Sequence, residues 1–289
     1  MILVPLITPF DARGRVAADA HEALAHQVLR DGAAGLVALG TTAETAALEP
    51  AERAEAAAIV GRVCREHGAR YVLGAAGGAT AAAVRELREI ADAAVVPDAV
   101  LATVPAFTRP GEAGVLAHFE QLAAAGPVPL IVYHVPYRTA QPLDAAALRA
   151  LAALPGVAGV KYATGAIDAE TVALLGDHPA GFEILAGDDV LAPALFALGA
   201  AGGILASAHL ATARWAELAA ATGASTGGRE SGHRLAALAA ALFRAPNPSV
   251  IKAVLHAEGR IPTPDVRLPL LPAPADVVTG ARAALRLVT

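Results

Sequence analysis

The 289-residue sequence predicts an α/β fold, a (β/α)8 TIM barrel with a C-terminal helical appendix. Two observations carry this. Short apolar runs rich in Val, Ile and Leu alternate with Ala-rich segments of helical period, in eight regular units. The apolar runs also lack the in/out alternation of a half-exposed strand, so they are buried on both faces, as in a parallel sheet. A doubly wound open sheet is the rival, and eight regular units favour closure. The length agrees, since a barrel takes about 250 residues and leaves an extra segment.

In chain order, the predicted strands are Ile2–Ile7, Gly35–Leu39, Tyr71–Ala75, Ala99–Thr103, Val128–Tyr133, Val157–Lys161, Glu183–Ala186 and Gly203–Ala206. Helices are predicted between them near 17–31, 51–67, 80–94, 112–125, 143–153, 167–176 and 190–199. Beyond the last strand, segments near 209–221, 229–243, 248–258 and 275–287 read as helical, with a Pro-rich connection at 261–274. This divides the chain into a barrel catalytic domain, 1–222, and a C-terminal helical region, 223–289.

Composition excludes several classes. Hydrophobic residues make up 55%, ample for a core. No apolar run reaches the roughly 18 residues of a membrane span. The start lacks a basic region and is broken by Pro5 and Pro9, so it reads as a strand rather than a signal peptide. The single cysteine, Cys64, cannot form an internal disulfide, which fits a reducing cytoplasm. A net charge of −5 with no basic run argues against nucleic acid.

The chain has only two lysines against twenty arginines, and Lys161 closes an apolar strand. Burial there lowers an ammonium's pKa, and only a lysine can then form an imine. The bland alternative is a strand-end lysine snorkelling to water. In a barrel, however, chemistry gathers at the C-terminal ends of strands, and other unusual residues fall at such ends. Gly40-Thr41-Thr42-Ala43-Glu44 follows the second strand, Tyr133 ends the fifth, and Gly187-Asp188-Asp189 follows the seventh. Each has a structural reading too: a helix cap for the Gly-Thr-Thr turn or for Asp188 and Asp189, a satisfied buried phenol for Tyr133. Together they allow a specific chemistry. A neutral lysine attacks a ketone to form a Schiff base that stabilises a carbanion. A tyrosine and a threonine hydroxyl move protons. The N–H groups of the Gly-Thr-Thr turn suit a carboxylate, and Arg138 can grip a second one bidentately. This describes a cofactor-free carbon–carbon lyase acting on a 2-keto acid.

These residues, with Leu6-Ile7-Thr8-Pro9-Phe10, Tyr133-His134-Val135-Pro136-Tyr137-Arg138-Thr139, Gly159-Val160-Lys161-Tyr162-Ala163-Thr164-Gly165, Pro246-Asn247-Pro248, Lys252 and Arg267-Leu268-Pro269, span nearly the whole chain. In this order the sequence resembles the dihydrodipicolinate synthase / N-acetylneuraminate lyase family of pyruvate-dependent class I aldolases. The resemblance implies that Lys161 forms the Schiff base with pyruvate, Tyr133 donates and accepts protons, and Thr41 relays them. It implies that Thr41 and Thr42 hold the pyruvate carboxylate, and that Gly187 and Ile204 line the pocket with main-chain groups. Arg138 matches the position that binds the carboxylate of aspartate semialdehyde in dihydrodipicolinate synthases. A homotetramer built from two tight dimers is implied as well.

The sequence departs from the synthase pattern in places. Ala106-Phe107-Thr108-Arg109-Pro110 stands where Tyr-Tyr-Asn-Arg-Pro is usual. Phe107 thereby lacks the hydroxyl that a neighbouring subunit normally adds to the proton relay. Tyr162 stands in place of a glutamate and His134 in place of an asparagine, so these two are candidate relay or specificity residues. Gly78, Ala82 and Ala106 replace the polar groups of the lysine feedback site, so lysine should not inhibit. The broken relay keeps two other readings open: an aldolase or dehydratase of a 2-keto-3-deoxy sugar acid, and a non-catalytic keto-acid sensor.

Other motifs carry little. Gly223-Ala224-Ser225-Thr226-Gly227 fits Gly-x-Ser-x-Gly but lies between helices rather than after a strand. Ser249-Val250-Ile251-Lys252 lacks the companion motifs of Ser-x-x-Lys chemistry, and Lys252 suits a structural or interface role. No zinc-like histidine spacing and no nucleotide-binding glycine loop occur, so neither a metal nor a nucleotide cofactor is expected.

Overall fold

A computed structural model describes residues 1–75, 77–221 and 226–288. Eight strands close into a parallel barrel in sequence order. They are β1 Ile2–Pro5, β2 Gly35–Ala38, β3 Arg70–Ala75, β4 Ala99–Thr103, β5 Leu130–His134, β6 Val157–Tyr162, β7 Glu183–Ala186 and β8 Gly202–Ile204. The predicted (β/α)8 barrel is the fold observed.

The chain divides into two compact units. The first comprises Met1–Tyr71 and Ile204–Thr289. In it β1 pairs with β2 through Leu3↔Gly35, Val4↔Leu36 and Pro5↔Val37. Gly35 allows a neighbouring backbone to approach, because a Cβ there would lie 2.1 Å from the Arg70 carbonyl oxygen. The helices Ala18–Arg30 and Pro50–His67 alternate with these strands. The second of them starts with a capping box between Glu49 and Glu52 and a proline in its first turn, which satisfies N–H groups that lack intrahelical acceptors. Beyond β8 the helices are Ala208–Ala220, Thr226–Leu242, Ser249–Ala257 and Ala275–Leu285. They bury Trp215, Leu238, Val250, Val254 and Ala281 at 0% exposure. Of the Gly-x-Ser-x-Gly stretch, Gly223–Ser225 lie outside the described residues. Cys64 is buried and forms no disulfide.

The second unit, Val72–Gly203, holds β4 to β7. Their parallel registers run Val100↔Leu130 to Thr103↔Tyr133, then Tyr133↔Lys161, then Lys161↔Leu185. These strands are buried on both faces, which explains their uninterrupted apolar runs. Successive strand residues point to opposite faces. Tyr133 and Lys161 therefore share one face, while the next pair, His134↔Tyr162, shares the other. The predicted helix near 80–94 is a helix over Thr80–Glu89 continued by a single 3-10 turn, Ile90–Asp92. Among the described residues no helix is long and apolar enough to cross a membrane.

Candidate active site

Lys161, near the C-terminal end of β6, is 7% exposed. Its Nζ lies 4.3 Å from the centroid of the Tyr133 ring, the cross-strand neighbour. Among the described residues no carboxylate pairs with it. Burial lowers its pKa to about 8, against the attraction of Asp189 and Asp188 and with the help of the Arg138 charge. A substantial fraction of the amine is thus neutral near physiological pH, the state that attacks a carbonyl. Snorkelling to water is ruled out for this side chain.

Gly187, just after β7, makes room for that lysine. A Cβ at Gly187 would meet Lys161 Cγ at 2.9 Å and Cε at 3.1 Å. Its N–H donates to the Tyr162 carbonyl at 2.8 Å, extending the ladder by one residue. Asp188 follows, and its Oδ2 accepts from the Gly165 N–H at 2.6 Å. Tyr137 donates its hydroxyl to Asp188 Oδ1 at 3.3 Å. The N-cap reading of Asp188 is thereby corrected, since the following helix, Ala192–Ala197, has no side-chain cap. Burial raises the pKa of Asp188, and the Lys161 and Arg138 charges oppose it. Arg138 is exposed and has no carboxylate partner among the described residues. The structure therefore gathers Lys161, Tyr133, Arg138, Gly187 and Asp188 in one unit, with Tyr137 among them.

His134 and Tyr162 stand elsewhere. Tyr162 Oη bonds Thr171 Oγ1 at 3.0 Å, on the helix Ala169–Gly176 that covers the outside of the strand. His134 is buried beside it, with ring centroids 5.9 Å apart, and burial pushes its pKa down to about 4. Both lie on the strand face opposite Lys161, so neither is placed to relay its protons. Phe107, in the loop after β4, is 91% exposed at a positive φ of 67°, with its N–H bonded to the Thr139 carbonyl at 3.3 Å.

Thr41, Thr42 and Ile204 belong to the other unit. Thr41 and Thr42 open a 3-10 turn, Thr41–Ala43, directly after β2. The first N–H groups of such a turn lack intrahelical acceptors. The turn is held from behind. Asn247 Nδ2 donates to Thr42 Oγ1 at 2.9 Å, and Thr8 Oγ1 donates to the Ala43 carbonyl at 2.8 Å. Glu44, in the left-handed region at φ 56°, pairs with Lys252 at 2.7 Å, both side chains being essentially buried. Its second oxygen accepts the Arg267 N–H at 2.8 Å. Lys252 and Arg267 also stack on the Phe10 ring, at 4.0 and 4.4 Å. Lys252 is thus a buried structural cation. Ile204 ends β8 and is buried.

Residues 1–287 match the dihydrodipicolinate synthetase family. The chain belongs to that family. It is 36% identical over 287 residues to the 4-hydroxy-tetrahydrodipicolinate synthase of Moorella thermoacetica, covering 99% of this chain and 97% of that protein. Among solved structures, the chloride-inhibited dihydrodipicolinate synthase of Acinetobacter baumannii complexed with pyruvate superposes with a TM-score of 0.91 at 29% identity, covering 98% of this chain and 97% of that one. The Cyanidioschyzon merolae enzyme with lysine bound gives a TM-score of 0.92 at 27% identity, over 99% and 97% of the two chains. Within this member of the family, sequence reasoning left two things without a role: Tyr137, and the buttress formed by Glu44, Asn247 and Arg267. The rule that strand C-termini carry the chemistry covers Tyr137, which lies three residues past β5 and precedes Arg138.

Proposed function

We propose that this chain is a Schiff-base lyase of the 4-hydroxy-tetrahydrodipicolinate synthase type, condensing pyruvate with aspartate semialdehyde. The observation that carries the reading is Lys161, buried, with no carboxylate partner among the described residues, against the Tyr133 ring, with its pKa lowered to about 8. The neutral amine adds to the keto carbon of pyruvate. The carbinolamine loses water to give the imine, and a methyl proton leaves to give the enamine. The enamine carbon attacks the aldehyde, whose oxygen takes up a proton and becomes a hydroxyl. The substrate's own amine then displaces Lys161 from the imine carbon and closes the ring, regenerating the enzyme. Tyr133 moves these protons and Thr41 passes them on. The N–H groups of Thr41 and Thr42 receive the pyruvate carboxylate, Arg138 takes that of the aldehyde, and Gly187 and Ile204 contribute main-chain groups.

The names of the relatives favour this reaction over cleavage of a sugar acid and over a sensor without turnover. A cytoplasmic place in lysine biosynthesis goes with it. The proposed assembly is a homotetramer, as the family resemblance implies. Gly78, Ala82 and Ala106 offer no polar side chain to a bound lysine, so millimolar lysine should leave the rate unchanged. Borohydride reduction with labelled pyruvate tests the reading. A stable adduct on the peptide containing Lys161 is expected, and an unlabelled protein would overturn it.

A further inference from the structure

Arg138 and Asp188 are opposite charges on the same side of one unit, yet they do not pair. Both Asp188 oxygens are already engaged. Oδ2 accepts the Gly165 N–H at 2.6 Å, and Oδ1 accepts the Tyr137 hydroxyl at 3.3 Å. The first bond is short and made by backbone. The second is long for a hydroxyl on a carboxylate, so it is the one a substitution would release. The Tyr137 ring lies over Gly165, where an added Cβ would come 3.7 Å from Tyr137 Cδ1. Gly165 also sits at φ 78°, a conformation that favours glycine. The guanidinium of Arg138 lies 5.9 Å from the centroid of the same ring, and among the described residues no carboxylate pairs with it. The phenol is thus bracketed by the two charges. Burial and the nearby Asp188 charge push its pKa up to about 12, so it remains a donor at any working pH.

We propose that Tyr137 is a positioning residue for the second substrate: by occupying Asp188 it keeps Arg138 unpaired and free to take the carboxylate of the aldehyde. The inference rests on the Schiff-base reading and deepens it at the second-substrate end. An exposed ion pair is worth little, so one hydrogen bond suffices to hold Asp188 back. Once the hydroxyl is gone, a half-buried carboxylate has one unsatisfied oxygen and already feels the Arg138 charge, which draws the two together.

The test uses Tyr137→Phe, and Tyr137→Phe combined with Asp188→Asn. In Tyr137→Phe, KM for aspartate semialdehyde should rise about two- to fivefold, the scale of one exposed ion pair competing for Arg138. Borohydride trapping of pyruvate should persist. In the double variant the amide that replaces the Asp188 carboxylate carries no charge for Arg138, so KM should return toward that of the parent enzyme. A loss due only to disturbed packing would not be rescued this way. A crystal structure of Tyr137→Phe should show Asp188 within about 4 Å of Arg138, the distance that defines an ion pair. An unchanged KM, a double variant no better than the single one, or an Arg138 still unpaired in the crystal would each overturn the proposal. If the parent enzyme traps no pyruvate, the Schiff-base reading falls, and the crystal structure still decides the role of Tyr137.

Discussion

The two lysines of this chain are both buried, and they do opposite things. Lys252 lies 2.7 Å from Glu44, over the Phe10 ring, in a cluster that also engages Arg267. Lys161 lies over the Tyr133 ring with carboxylates near enough to be felt but not to pair. The difference is the partner, not the burial. Desolvation lowers the pKa of both, and at Lys252 the contact with the Glu44 carboxylate opposes it. At Lys161 only charges without a contact partner oppose desolvation, and the pKa falls to about 8, which leaves neutral amine for the proposed nucleophilic role. One region fixes the turn that carries Thr41 and Thr42, and the other holds the amine proposed for the chemistry.

The comparison breaks first if the reactive amine is the other one. Lys161→Arg removes the amine proposed to form the imine, since a guanidinium stays protonated. Turnover should fall to background and the borohydride adduct should vanish from the intact-protein mass spectrum. Lys252→Met should still give an adduct. Next comes Tyr133→Phe, expected to slow turnover about 10²–10⁴-fold, the usual cost of a general acid–base group. Steady-state rates at saturating substrates measure it.

Lys252→Met should instead act on stability. It leaves Glu44 buried without its counter-ion, which costs about 3–5 kcal/mol. Urea unfolding should show this, and Glu44→Gln in the same chain should recover much of it. A single variant as stable as the parent would mean that the buried pair contributes nothing. A pH series sharpens the distinction from the other side. The rate of pyruvate trapping should rise with pH and level off above about 8, because only the deprotonated Lys161 adds to the ketone. Asp189→Asn removes a negative charge that favours the ammonium, so it should move the midpoint down. A midpoint near the ordinary lysine range would show that Lys161 is not desolvated.

Much of this was legible in the sequence. Ala99–Thr103 and Glu183–Ala186 were readable to the residue, because continuous apolar runs bounded by polar turns leave little choice. The final strand was not: Gly202–Ile204 is shorter and earlier than Gly203–Ala206, because the apolar run continues into the turn that starts the helix Ala208–Ala220. Lys161, Tyr133 and Arg138 stood out as rare or polar residues at strand ends. Tyr137 and Asp188 did not stand out as a pair, since 51 residues separate them and only the closed sheet order brings them together. The Lys252–Glu44 pair, separated by 208 residues, likewise forms only in the folded chain, where the helix Ser249–Ala257 brings Lys252 to the turn after β2.

The smallest expected effect concerns the two residues whose chemistry looked most suggestive. Tyr162 adds a phenol and His134 an imidazole next to the reacting residues in sequence, and adjacency in sequence invites a relay. Along a strand it argues the reverse, because neighbours point to opposite faces. Tyr162 spends its hydroxyl on Thr171, which in turn bonds Asp168 at 2.9 Å at the start of the outer helix. His134, held neutral by burial, lies against Tyr162 rather than against Lys161. Tyr162→Phe should therefore cost stability on the scale of one hydrogen bond, about 1 kcal/mol, and change turnover less than about twofold, well short of a lost acid–base group. His134→Asn should likewise leave the rate and the trapping midpoint in place. A tenfold loss of turnover in either variant, with the fold intact by thermal melting, would mean that protons cross the sheet, and the separation between a reactive face and a packing face would not hold.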